Sequence, residues 1–409
     1  MTKLRIAVRD YADFTAALGE EALAFELLNP GNSFEIVPMS IHELYDATLH
    51  KGGLRDGTFD IALLVTDWLA EGMASSSLED LAAWNRHVWI ADWPEGWAHS
   101  LVKPLMFGEK LAALPWHDGP ECLVYRADLF SDAKTQKAFR KQFERDLAPP
   151  TTWAQLEETA RFFTNAANNL YGTVFAGFPD GHNTLYDFAL QVWSRGGALT
   201  DGNGIPKLDS QEAEAGLEYY RRVVRNAEVC HPRSPELDST QSGDLFLAGE
   251  VAMMANWFGF AARAGRVGSP LAGKVAIAPI PTDGVHEPVS LSVFWALAIG
   301  TGSANKEAAW QFLRFTTEPH RDLARTRHGA VGVRLSTWRD PGLQMRIPAY
   351  REIEKISLGA RQLPVGEHMA AFAAIVDTVM SRALKTEDSS HAILADAQKD
   401  ATEKGLKFA

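Results

Sequence analysis

Two cysteines stand in this 409-residue chain, Cys122 and Cys230. Two are too few for a disulfide framework, and neither sits in a CxxC or Cys/His spacing that would hold zinc. A single bridge stays open from sequence; two free or buried thiols are the expectation. Positive charge is also short, with 40 Lys and Arg against 52 Asp and Glu, a formal net charge of −12. That balance argues against a nucleic-acid binder or a partner of anionic membranes, though not against a local basic pocket. The longest apolar stretches, such as Ile61 to Val65, fall far below the ~18–20 residues of a membrane span. No signal peptide is legible, because Lys3-Leu4-Arg5-Ile6-Ala7-Val8 leads straight into a strand pattern.

The signatures of catalysis and cofactor binding are missing too. No GxGxxG follows the first strand, where a dinucleotide site needs it. Gly300-Thr301-Gly302-Ser303-Ala304-Asn305-Lys306 lacks the Walker spacing and reads as a turn with a Ser cap. His42-Glu43 has Asp46 where a zinc protease needs its second His. No GxSxG elbow occurs. His87, His99 and His117 form no ligand spacing. No cofactor and no metal is expected. A pair of catalytic carboxylates stays open, since glycosidase acids come from distant segments.

What the chain does have is size, an ordinary core composition and tryptophan. Hydrophobic residues make up 46% and charged residues 22%, as in folded globular proteins. Its length suggests two or three domains. Twelve Trp, about one per 34 residues, suit a protein that stacks flat ligands such as pyranose rings. For any single one of them core packing is the favoured explanation.

The opening reads βαβαβ. Leu4, Ile6 and Val8 alternate with basic residues, a helix follows over 13–28, and strands are expected at 34–38 and 59–65. In such sheets ligands gather at the carboxyl ends of the strands. Asp10, Tyr11, Ser40, Asp67 and Trp68 all follow strands and become candidates. Further strands are expected at 110–115, 121–125, 251–254, 275–278 and 293–299. Helices are expected at 153–163, capped by a Thr152/Gln155 box, from Asp209, from Ser303, and through most of 368–405.

Specific segments resemble a known family. Lys110 to Pro115 followed by Leu123 to Phe130 resembles the first crossing strand of family 1 extracellular solute-binding proteins, the sugar-binding subunits of ABC importers. Pro150 to Leu156 resembles the family's Pro-x-Thr-Trp-x-x-Leu helix start, and Phe246 to Met254 its Phe-x-x-Gly-x-x-Ala-Met segment. Asn256-Trp257 follows where the family often has a ligand-facing Trp. Trp295 to Ile299, then Ser303 to Phe315, resembles the returning strand and helix, and Gly329 to Arg334 the Gly-x-x-Pro-x-Arg block. The chain departs from the pattern at Phe294, where a small residue is frequent, and at Gly332, where Pro is common.

The resemblance implies an α/β, two-lobed periplasmic-binding-protein fold with crossing hinge strands, type II-like. Residues 1–117 plus 292–318 would form the N-terminal lobe, and 118–291 plus 319–409 the C-terminal lobe. The ligand would be enclosed between them by hinge closure and passed to an ABC permease. A monomer in the periplasm, its signal peptide removed, is expected, with a sugar or polyol as ligand and no nucleic-acid partner. The ligand-binding candidates are Asp10, Tyr11, Ser40, Asp67, Trp68, Trp116, Asp118, Phe178, Asp180, Trp257, Trp295 and Arg334. Trp257, Trp295 and Arg334 rest on the resemblance. Trp193 is a further aromatic candidate that core packing explains equally well. Arg334 would permit an acidic sugar; a neutral one is the default. A carbohydrate-active enzyme and a chemoreceptor-coupled sugar sensor are the competing readings.

Overall fold

The computed structural model describes residues 2–409. The chain divides into two compact units, Met1–Gly119 with Ser292–Met345 and Pro120–Leu291 with Arg346–Ala409. Their two larger sheets use the strands β1 (Thr2–Arg9), β2 (Asn32–Met39), β3 (Ile61–Val65), β4 (Leu114–His117), β5 (Glu121–Arg126), β6 (Met253–Trp257), β7 (Val275–Ala278) and β8 (Trp295–Ile299). Around them lie α1 (Ala12–Leu28), α2 (Trp153–Phe163), α3 (Asn183–Trp193), α4 (Gln211–Val224), α5 (Lys306–Thr316), α6 (Pro319–His328), α7 (Met369–Lys385) and α8 (Ser390–Glu403), with several shorter helices.

The first unit holds a five-stranded sheet in the order β2-β1-β3-β8-β4. β1 runs parallel to β2 and β3, whereas β8 runs antiparallel to β3 and β4. The chain path explains the reversal. It leaves this unit just after β4 and returns at Ser292, so β8 starts at the edge where β4 ends. β3 is buried at all five positions, as expected of a strand covered on both faces.

The second unit carries the antiparallel sheet β6-β5-β7 beside a helical layer. Every residue of α3 is buried, which marks it as that layer's central helix. On α4 the buried face runs through Ala213, Leu217, Tyr220 and Val224. Cys122 and Cys230 are both free and buried. Among the described residues no helix is long and apolar enough to cross a membrane.

Several local expectations shift. The strand expected at 110–115 is two pieces, Lys110–Leu111 in a small ladder with Met106–Phe107, and β4. Thr152 caps α2 through Gln155 N, but the Gln155 side chain accepts from Thr151 instead of closing the box. Ser210, not Asp209, caps α4. Ser303 does not cap α5; its hydroxyl donates to Asp60 and accepts from Asn305 N.

Residues 319–345, expected with the C-terminal lobe, pack in the first unit. The reason is ionic. Arg325 of α6 is buried and its guanidinium bridges Glu21 of α1 at 2.5 Å and Asp322 at 2.6 Å. Pulling α6 away would leave Glu21 of α1 without its counter-charge, a cost of several kcal/mol.

Candidate functional site

The carboxyl edge of the first unit's sheet collects most of the candidates. β1, β2, β3 and β4 all end there, and antiparallel β8 brings its first residue to the same edge. Trp295 is paired across the ladder with Val65 on one side and His117 on the other. Asp10 and Tyr11 follow β1, Ser40 follows β2, Asp67 and Trp68 follow β3, and Asp118 follows β4.

Aromatic rings line this edge. Half-buried Trp295 meets Phe14 edge to face at 5.4 Å and Trp68 at 6.5 Å. Tyr45 packs on Trp68 at 5.3 Å, and Tyr11 on Phe14 at 5.0 Å. The Arg9 guanidinium lies 5.7 Å from the centre of the Trp295 ring, within cation–π range. The Tyr45 hydroxyl donates to Glu71, which fixes that ring and pushes its ionisation well above the ordinary tyrosine range, burial being the larger cause. Asp118 is buried, and desolvation raises its carboxyl to about 7.

Three candidates of this unit are otherwise engaged. Trp116 is fully buried, donates from Nε1 to Glu21 at 2.9 Å and lies under the Arg325 guanidinium. It is core, because strand alternation turns it to the opposite face from its neighbour His117. The Ser40 hydroxyl accepts from Glu43 N while the Glu43 carboxylate accepts from Ser40 N, a complete capping box. Arg334 is buried; its Nη atoms donate to Thr317 O at 2.9 Å and Asp92 at 3.0 Å, and its guanidinium stacks 4.2 Å from the Trp97 ring centre. Both Nη atoms are thus engaged within the unit.

The second unit presents a smaller group. Trp257 ends β6 and is half-buried, and its ring meets Tyr186 of α3 edge to face at 5.6 Å. Its cross-strand partner is Glu121, the first residue of β5. Directly paired residues project to the same face with Cβ atoms about 4.5–5.5 Å apart. Asp187 follows Tyr186. Both carboxyls are buried, and burial raises both, Glu121 well above the carboxylate range and Asp187 to about 8.

Asp180 holds the start of α3. Its carboxylate accepts from the backbone N–H of His182 and Asn183 and from the Asn183 side chain. Asp377 of α7 adds a second clamp, accepting from Gly181 N at 2.8 Å and from the Thr184 hydroxyl. Phe178, just before this turn, is 46% exposed. Trp193, at the other end of α3, is core.

Sequence reasoning missed Phe14, Tyr45 and His117 in the first unit and Tyr186, Glu121 and Asp187 in the second. One signal was available for the acids. Glu121 heads the apolar run Cys122-Leu123-Val124-Tyr125, and Asp187 interrupts an apolar helix, both costly places for a carboxyl unless it has a task. Among the described residues no group of His, Cys, Asp and Glu is arranged to hold a metal ion.

The sequence model of the bacterial extracellular solute-binding proteins matches residues 9–320. A probable ABC transporter-binding protein of Deinococcus radiodurans is 24% identical over 347 residues, covering 82% of this chain and 77% of that protein. Among solved structures, maltose-bound MalE3 of T. maritima superposes with a TM-score of 0.85 at 23% identity, over 99% of this chain and 100% of the other. An ABC transporter solute-binding protein from Agrobacterium radiobacter K84, in complex with ribitol, gives 0.87 at 23% identity over 98% of each chain. The two-lobed α/β fold expected from sequence is the fold these proteins share with this chain.

Proposed function

The chain belongs to the family of bacterial extracellular solute-binding proteins, and we propose that its solute is a carbohydrate or polyol, bound intact and delivered to the membrane permease of an ABC importer. The observation that carries this reading is the half-buried indole of Trp295, braced by Phe14 and Trp68 at a sheet edge where Asp10, Asp67 and Asp118 also end. A sugar has C–H-rich faces and a rim of hydroxyls. It is gripped by flat aromatic surfaces together with short acidic side chains that accept hydrogen bonds. The first unit supplies both at one edge, and the second supplies Trp257 with Tyr186 and two acids.

The relatives agree in kind, one binding maltose and another ribitol. The expected partner is a permease, the expected place of action the periplasm, and the expected form a monomer. Of the candidates, Asp10, Tyr11, Asp67, Trp68, Asp118, Trp257 and Trp295 are retained as the binding residues. Phe178 and Asp180 act at most through α3.

Calorimetry on the purified chain with maltose, ribitol, D-glucose and D-mannitol tests the reading, with the same mixtures assayed for products. Saturable one-to-one binding without products supports it. Turnover of a glycoside would replace it with an enzyme.

A further inference from the structure

The second unit buries two acids without a counter-charge. In the first unit Glu21 and Asp322 share the Arg325 guanidinium. Glu121 is 5% exposed and Asp187 8%; among the described residues neither Glu121 Oε2 nor Asp187 Oδ2 makes a hydrogen bond of normal length, and the Tyr220 hydroxyl is the polar neighbour that acts on Asp187. Leaving a buried acceptor unpaired costs about 1–3 kcal/mol. A native fold carries that cost where a task requires it, and a guest that brings hydroxyls would remove it.

Their position names the guest. Glu121 stands cross-strand from Trp257, and Asp187 follows Tyr186, whose ring abuts Trp257. Asp180 and Asp377 clamp the first turn of α3, so Asp187 is held on a rigid helix. We infer that Glu121 and Asp187 are ligand-contacting residues whose unpaired carboxyl oxygens bond to hydroxyls of an uncharged guest. This rests on the carbohydrate or polyol reading and narrows it.

The charged and titratable groups that act on the pair are each other, Asp180, and the buried Tyr220, Cys122 and Cys230. None is positive. A carboxylate or sulfonate placed at this pair would meet two acids and no cation among the groups that act on them, and an ammonium group would compete with their protons. Burial supports the same conclusion, since it raises both carboxyls, Asp187 to about 8, and so favours their protonated forms. A protonated carboxyl both donates and accepts, which suits a sugar hydroxyl that does the same. Arg334, the cation considered for an acidic sugar, has both Nη atoms engaged by Thr317 and Asp92.

The test is calorimetry on the whole chain with the tightest binder among maltose, ribitol, D-glucose and D-mannitol. Glu121→Ala and Asp187→Ala should each weaken binding at pH 7 about tenfold, the loss of one buried hydrogen bond. Glu121→Gln and Asp187→Asn keep a donor and an acceptor and should stay within about threefold. Above the ionisation of Asp187 the wild-type affinity should fall with pH, and Asp187→Asn should fall less. If the alanine variants do not fold, the pH profiles of wild type and Asp187→Asn decide. Folded alanine variants that bind like wild type, or a wild-type affinity constant from pH 7 to 9.5, would overturn the inference and leave the carbohydrate reading standing. No binding of any of the four sugars would contradict the reading itself.

Discussion

Trp68 and Trp295 meet at 82° with 6.5 Å between ring centres, the end of one strand braced against the start of its antiparallel neighbour. The contact braces the Trp295 ring and leaves the residue only half-buried. A ring held this way is ready to stack before a guest arrives, which lowers the entropy cost of binding.

Trp295→Ala and Trp257→Ala should therefore each weaken sugar binding by more than ~1 kcal/mol, the scale of an aromatic contact. Trp116→Phe should alter binding little, because Trp116 is enclosed between Glu21 and Arg325. Calorimetry of the three variants checks both statements. Affinity unchanged in Trp295→Ala would remove Trp295 from the site.

Ser40 offers a sharper separation of cap from contact. Ser40→Ala removes the acceptor for Glu43 N and should cost about 0.5–2 kcal/mol of stability. Sugar affinity should not change. Urea melts read the first quantity and calorimetry the second; a drop in affinity with unchanged stability would return Ser40 to the binding set.

Arg325→Met should destabilise the protein by about 3–5 kcal/mol, since it strands Glu21 and Asp322 as unpaired buried acids. Burial already lifts the Glu21 carboxyl above its ordinary value, against the pull of Arg325. The loss should shrink in a Glu21→Gln background, where one of the stranded charges is gone. Denaturant midpoints for the single and double variants give the coupling.

Much of the architecture is legible from the residues. Alternation in Leu4, Ile6 and Val8 and the apolar run of β3 give the first unit's sheet, and the ordered family-like segments give the two-lobed plan. The placement of 319–345 is not legible, because it depends on Arg325 reaching Glu21, 304 residues away in sequence. The tryptophans show the same limit within one strand neighbourhood. Trp116 and Trp295 both lie near strand ends, yet a buried acid turns one inward and ring neighbours brace the other at the edge. Local pattern does not encode which partner lies across the sheet.

Stability should fall as pH rises from about 4 to 8. Asp187 titrates near its ordinary value in the unfolded chain but at about 8 in the fold, and Asp118 at about 7. Across that window the folded state holds more protons than the unfolded one. The contribution of each acid is thus full below its unfolded value and is lost as pH rises through its folded value. Urea midpoints at pH 5.5 and 8 should show the decline, and Asp187→Asn should reduce it. A midpoint that rises over the same interval in wild type would contradict the assignment.

The central claim is that this chain holds a hydroxyl-rich guest on tryptophan surfaces and releases it unchanged. Calorimetric titration of the wild type and the Trp257→Ala, Trp295→Ala double variant with maltose, ribitol, D-glucose and D-mannitol, followed by mass spectrometry of the recovered sugar, tests it most directly. The account predicts saturable binding by the wild type, its loss in the double variant and recovery of intact sugar. Equal binding by both proteins, or recovery of cleaved product, would contradict it.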